Sequence, residues 1–94
     1  MKYVVYLLIS KTKKRYISYV GFTNNLEKRL NLHNSGKGAK FTRGKKWTLL
    51  YKKYYKTKSK AMIEEFKLKK DKKKRSLIKL KYLNKDESFN STAI

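Results

Sequence analysis

The 94-residue chain has no cysteine, which excludes disulfides and thiolate metal sites. Its longest apolar run, YVVYLLI at 3–9, is far shorter than the roughly 20 residues needed to cross a bilayer. That run also lacks the small-residue cleavage pattern of a secretory signal. No long amphipathic helix with a large apolar face offers itself to a lipid surface. The expected location is the cytoplasm, with no membrane partner. Acidic residues are scarce too: six, against 27 lysines and arginines. Two-metal phosphate chemistry usually draws on several carboxylates. Here the whole supply is Glu27, Glu64, Glu65, Asp71, Asp86 and Glu87, the last two in a polar C-terminal stretch. A site with one carboxylate and one metal is the natural expectation.

What is present is positive charge and aromatic rings. The formal net charge is +21, carried by 23 Lys and four Arg. Self-repulsion on that scale is best tolerated when a polyanion neutralises it, so nucleic acid is the expected partner. A lysine bias of this kind also follows from an AT-rich gene, so the charge alone marks no particular site. Hydrophobic residues make up 39% of the chain and eight tyrosines are among them, enough for one small core but not two.

The apolar 3–9 run is rich in β-branched and aromatic residues and reads as a strand buried on both faces. RYISYVGF (15–22) alternates as a second strand, making a hairpin over 3–22. Gly21 near its end predicts a bulge or a close backbone approach. Thr23 and Asn24 are N-cap candidates for a helix over 25–33, with Leu26, Leu30 and His33 on one face. Residues 34–46 hold three glycines and read as a basic loop. WTLLYKKYY (47–55) is a third strand. A second helix spans 59–70, with Ala61, Met62, Phe66 and Leu68 toward one side. At ~100° per residue Glu65 falls inside that stripe and Glu64 nearer its polar edge. Asp71 caps a third helix. The resulting class is α+β: a small, mostly antiparallel three-stranded sheet flanked by helices, in the order β-β-α-β-α-α. The domain is expected over 1–83, with 84–94 a polar, frayed tail.

Several residues suit phosphate chemistry. Glu65 is either a metal ligand or an ordinary helix residue paired with Lys69 at i+4. Arg29 presents a planar fork suited to phosphate, unless it is a solvated helix arginine. Tyr6 and Tyr19 lie on the two arms of the hairpin and can approach each other. A metal and nearby cations would lower a phenol's pKa and make it a proton acceptor. His33, one helical turn beyond Arg29, is either a phosphate or water contact or a surface residue. Thr23, Lys37, Lys40, Thr42, Arg43 and Lys69 complete the set of nucleic-acid contacts.

In order, Val4-Val5-Tyr6, Tyr19-Val20-Gly21, FTNNLEKRLNLHNSGKGAKFTR and AMIEEFKLKK resemble the GIY-YIG nuclease family. The likeness is to its small stand-alone bacterial members, and more distantly to the N-terminal nuclease domain found in excinuclease. It covers about residues 3–80. No single tripeptide is specific, but the ordered set is. Val-Val-Tyr stands where the family has Gly-Ile-Tyr, and the interval from Tyr6 to Tyr19 is slightly long, implying an extended turn. The resemblance implies that Arg29 contacts the scissile phosphate. It implies that one of Tyr6 and Tyr19 acts as general base, helped by His33, and that Glu65 is the sole protein ligand of Mg²⁺ or Mn²⁺. It further implies hydrolysis to a 5′-phosphate and a 3′-hydroxyl, with DNA the expected substrate in repair or processing. A partner protein or a homodimer is expected to supply specificity. The alternative is a basic nucleic-acid-binding protein that keeps the fold without catalysis.

Overall fold

In the computed structural model, residues 2–13 and 15–92 are described, with side chains as far as Leu83. Strands β1 (Tyr3–Lys11) and β2 (Tyr16–Thr23) form a hairpin. Helix α1 (Leu26–Asn34), a short 3₁₀ turn (Lys40–Thr42) and strand β3 (Thr48–Tyr55) follow. Helices α2 (Lys58–Lys70) and α3 (Lys72–Thr92) complete the chain. The sheet is antiparallel throughout, in the order β2-β1-β3. The expected α+β class and element order hold. In the backbone, α3 runs unbroken past Leu83 to Thr92, through most of the stretch expected as a tail. The side chains from residue 84 onward, and residues 93–94 altogether, lie outside the described residues. No helix among the described residues is long and apolar enough to cross a membrane.

β1 is the central strand, which is why its apolar run is continuous rather than alternating. Val4 to Ser10 are all buried. Val5 and Leu7 point to one face, where Val20, Ala61 and Leu68 pack with Ile78 beneath α2 and α3. Tyr6 and Leu8 point to the other, against Trp47, Tyr19, Leu26 and Leu30. Fully burying side chains of this size contributes about 1.5–3 kcal/mol each, so the sheet is held from both sides through one strand.

Local details shift some expected boundaries. Asn25, not Thr23 or Asn24, is the N-cap of α1: its side chain accepts from the Lys28 N–H at 3.1 Å. Thr23 instead shapes the turn before it, its Oγ1 accepting from the Asn25 N–H at 3.1 Å. Thr57 caps α2 through the Lys60 N–H at 3.1 Å. Asp71 caps α3 as expected, accepting from the Lys74 N–H at 3.0 Å. Arg75 closes the joint between the two helices, donating to the α2 carbonyls of Leu68 at 3.1 Å and Lys69 at 3.0 Å. Those terminal carbonyls have no partner within their own helix.

The hairpin register sets Tyr6 opposite Gly21 and Tyr19 opposite Leu8. Tyr6 and Tyr19 are therefore diagonal neighbours on one face. Gly21 makes this possible. A Cβ there would lie 2.5 Å from Tyr6 Oη and 2.7 Å from its Cζ. The close approach read from the sequence is thus the hydroxyl end of the Tyr6 phenol against the glycine. Tyr6 is fully buried and has little room to give way. Gly21→Ala is expected to cost about 1–3 kcal/mol by overpacking, which is several degrees of Tm for a domain this small. Thermal melts followed by circular dichroism check this; an unchanged Tm would mean that the Tyr6 ring is free to move.

Candidate active site

Tyr6 carries a hydroxyl into the interior, and a buried hydroxyl needs a partner. It finds one in His33 of α1, with Oη 2.9 Å from Nε2. The other ring nitrogen, Nδ1, lies 2.9 Å from Thr42 Oγ1. Thr42 in turn donates to the Ala39 carbonyl at 2.7 Å. This network fixes the tautomer. Thr42 has one hydroxyl proton and gives it to Ala39, so its oxygen accepts from His33 Nδ1–H. Nε2 of the neutral ring is then an acceptor, and Tyr6 is the donor to it.

Burial and the nearby Arg29 charge both push the His33 pKa down, keeping the ring neutral. Burial pushes the Tyr6 hydroxyl up to about 12, with Arg29 opposing and Tyr19 and Glu65 adding to the rise. Desolvation outweighs Arg29 here; the lowering expected from the sequence drew on a metal's charge as well as on neighbouring cations. Contact with the Tyr6 hydroxyl raises the Arg29 pKa, and Tyr19 adds to the effect.

The tyrosine rings lie 6.4 Å apart, and Tyr19 is 5.0 Å from the His33 ring. The structure therefore brings Tyr6, Tyr19, Arg29 and His33 together. Glu65 approaches from α2, where the inward face comprises Ala61, Glu64, Glu65 and Leu68. Met62 and Phe66, expected on that face, are exposed. Both glutamates lie at its edges, but on opposite flanks. Glu64 faces Tyr55 of β3, whose hydroxyl it helps to raise. Glu65 is the one whose charge reaches Tyr6. Its side chain is 16% exposed and pairs with Lys69 at 2.9 Å, the i+4 pairing that the sequence offered as one of its two readings.

Among the described residues no three His, Cys, Asp or Glu side chains cluster to hold a metal. Asp71 is committed to its cap and Glu27 to the exposed first turn of α1. Among the described residues Glu65 is the carboxylate beside Tyr6, shared with Lys69. One carboxylate, with water and phosphate oxygens completing the shell, is the donor set that Mg²⁺ commonly accepts.

Two expectations need correction. His33 is neither a surface residue nor placed to touch phosphate: it is 0% exposed, with both nitrogens engaged. Thr42, expected as a phosphate contact, is also 0% exposed, and its hydroxyl is spent on His33 and Ala39. Lys37, Lys40 and Arg43 are exposed around it, and Lys69 is exposed beside Glu65. Thr23 is half-buried, its hydroxyl tied into the turn before α1.

The residues that support His33 escaped the sequence reading. Asn34 clamps the end of α1 to the start of β3, accepting from the Trp47 N–H at 2.6 Å and donating to the Trp47 carbonyl at 3.2 Å. Trp47 Nε1 donates to the Thr42 carbonyl at 2.9 Å. Gly38 lies against the His33 ring, where a Cβ would collide with Nδ1. Of the loop's three glycines only Gly38 marks this packing; Gly36 and Gly44 face open space at φ of 80° and 73° and serve turns instead.

The fold is that of a small α+β domain with an antiparallel three-stranded sheet. Comparison with known proteins agrees. The family model described as the GIY-YIG catalytic domain matches residues 2–81. A UPF0213 protein of Oceanobacillus iheyensis is 54% identical over 52 residues, 54% of this chain and 60% of that protein. A UPF0213 protein of Bacillus velezensis is 40% identical over 77 residues, 79% of this chain and 78% of that one. The solution NMR structure of a UPF0213 protein from Bacillus halodurans is 33% identical, covers 86% of both chains and superposes with a TM-score of 0.45. The chain thus belongs to the GIY-YIG family, alongside bacterial UPF0213 proteins. It spans less than two thirds of the length of the Oceanobacillus relative.

The lowered His33 pKa gives stability a pH dependence. The unfolded chain takes up the histidine proton first as pH falls, so the contribution is complete above the ordinary value of about 6.5. It is lost as pH drops from there toward the lower folded pKa. Wild-type Tm is expected to fall between about pH 7 and pH 5 more steeply than that of His33→Gln, which has no imidazole to titrate. Parallel slopes for the two proteins would place the titrating group elsewhere.

Proposed function

We propose that the domain is an endonuclease that hydrolyses phosphodiester bonds in DNA with one divalent ion, in repair or processing. The observation that carries this reading is the convergence of Arg29, Glu65 and a Tyr6 hydroxyl aimed at a neutral histidine acceptor. A basic surface explains binding of a polyanion. It does not call for a carboxylate half-buried beside Tyr6, whose charge disfavours an approaching phosphate except where a cation such as Lys69 or a metal ion offsets it.

Glu65 would hold Mg²⁺ or Mn²⁺, which when bound supplies charge stabilisation at the scissile phosphate and its leaving oxygen. Arg29 grips a non-bridging phosphate oxygen and offsets charge that develops as phosphorus is attacked. With a pKa near 12, Tyr6 works as a neutral relay rather than a standing phenolate. Water gives its proton to Tyr6 Oη while Tyr6 passes its own to His33 Nε2. The water oxygen bonds to phosphorus and the bond to the 3′ oxygen breaks. That oxygen takes a proton from solvent, leaving a 5′-phosphate and a 3′-hydroxyl. Thr42 holds the His33 ring in the accepting tautomer throughout. Lys37, Lys40, Arg43 and Lys69 bind the DNA backbone. Specificity beyond the backbone is assigned to a partner protein or a second copy of the chain.

The second reading, a non-catalytic basic binder on the same fold, is favoured by the 2.9 Å Glu65–Lys69 ion pair, which occupies the carboxylate. One assay separates the two. Labelled single-stranded, duplex and branched DNA are incubated with Mg²⁺, Mn²⁺ or EDTA. Metal-dependent cutting is expected from wild type. Glu65→Gln is expected to cut nothing yet bind as well or better. Arg29→Ala should lose about a hundred- to a thousandfold, and Tyr6→Phe a similar factor through the lost proton relay. Tight, salt-sensitive binding without cutting on any substrate would instead establish the binder.

A further inference from the structure

Phe41 is the exposed aromatic residue in contact with the site. It is 53% exposed, yet it does not sit on a loose loop. Its neighbour Thr42 is fully buried and anchored to Ala39, His33 and Trp47. The Phe41 ring stacks on Tyr19, with centroids 6.3 Å apart and planes 21° apart, and it also touches Trp47 at 6.2 Å. Lys45 places its ammonium 5.4 Å from the ring centroid and donates to the Phe41 carbonyl at 3.2 Å. Lys40 and Arg43 are exposed on either side. This is a rigid aromatic surface leading to a site tyrosine, edged by cations, in a segment with no carboxylate between residues 34 and 46.

We propose that Phe41 is a stacking platform for an unpaired nucleobase, so that nucleic acid enters the site with a splayed or single-stranded nucleotide beside Tyr19. A base has a π-face of the size of the ring and stacks without regard to its identity. A base inside a duplex already has both faces covered, so only an unpaired one gains from Phe41. As it settles, it displaces the Lys45 ammonium, which turns to the adjoining phosphate. Cation–π and phosphate contact are alternative uses of the same lysine. The inference rests on the nuclease reading for its purpose but not for its geometry: it concerns binding and is tested by binding.

The full chain carrying Glu65→Gln, which is expected to bind without cutting, is titrated by fluorescence anisotropy. The probes are a short oligothymidylate, the matching oligouridylate and a blunt, fully paired DNA duplex, over a range of salt. Phe41→Leu keeps apolar bulk and removes the ring. It is expected to weaken binding to either single strand about five- to a hundredfold, the range that loss of one base–aromatic stack gives. The salt slope should not change, because no phosphate contact is lost. Duplex affinity should also stay the same, and Phe41→Tyr should restore single-strand binding. Irradiating wild type with an oligothymidylate carrying 5-iodouracil should crosslink Phe41, a readout independent of any folding defect. Equal losses on single strand and duplex, or no loss on the single strands, would overturn the proposal, as would crosslinking that avoids Phe41. Phe41-dependent binding with no cutting by wild type on any substrate would support the platform while refuting the nuclease. Cutting of fully paired DNA that is indifferent to Phe41→Leu would do the reverse.

Discussion

Tyr6 puts a polar group in the middle of the central strand, at a position shielded from bulk solvent, and an unpaired hydroxyl there would cost several kcal/mol. Its hydrogen bond to His33 answers that need and at the same time sets much of the surrounding geometry. His33 comes from α1, so the helix must lie on the Tyr6 face of the sheet. Its second nitrogen then needs a partner, and Thr42 is brought in from the loop. Thr42 in turn is fixed by Ala39 and by the Trp47 indole. Gly21 and Gly38 are the clearances that let the Tyr6 and His33 rings lie where they do. A polar network in a low-dielectric interior is valuable only when every member is satisfied. Among the described residues no buried side-chain nitrogen or oxygen is left without a partner.

Charge imposes the second constraint. With 27 basic residues against six acidic ones, ion pairs cannot stabilise much of the surface, and exposed pairs contribute little in any case. Aromatic faces take part of that role: Lys70 lies 4.5 Å from the Phe66 ring centroid and Lys74 5.6 Å from that of Tyr51. Phe66 can therefore stand on an exposed helix face under a lysine instead of in the core. Carboxylates kept in so basic a chain occupy particular places. Asp71 joins two helices, Glu64 faces β3 and Glu65 faces Tyr6.

How much is legible in the sequence depends on the range of the interaction. The buried central strand is, because a continuous β-branched and aromatic run has few other homes. The Asp71 cap is, because capping is local. The inward turn of Glu65 is, although only half of the apolar stripe that suggests it is real. Ala61 and Leu68 define the buried face, while Met62 and Phe66, which share their helical phase on paper, lie outside it. Glu64 lies at the edge of that face, as its phase suggests, and is more exposed than Glu65. His33 and Thr42 read as solvent-facing because polar residues usually are. Helical phase does set His33 beside Leu26 and Leu30, but the hydrogen-bond partners lie 27 and 9 residues distant in the chain, and no local pattern names them. The family resemblance names Tyr6, Tyr19, Arg29, His33 and Glu65 as a group, but it does not place the histidine behind the tyrosine.

That placement bears on how a weak base can serve the proposed reaction. Burial acts on the two groups in opposite senses: it disfavours the phenolate of Tyr6 and the imidazolium of His33. Both resting forms are therefore neutral, and the pair holds one mobile proton already directed from oxygen to nitrogen. A proton accepted from water at Tyr6 Oη need not create a phenolate at all, since the original one departs to Nε2 in the same motion. The penalty for burying the resulting imidazolium is eased by the gathering negative charge on the phosphate beyond Tyr6, while Arg29 discourages earlier protonation. In the proposed reaction this geometry would keep the acceptor unprotonated until the phosphate is in place. A solvent-exposed histidine at the same distance would titrate with the bulk and lose that control.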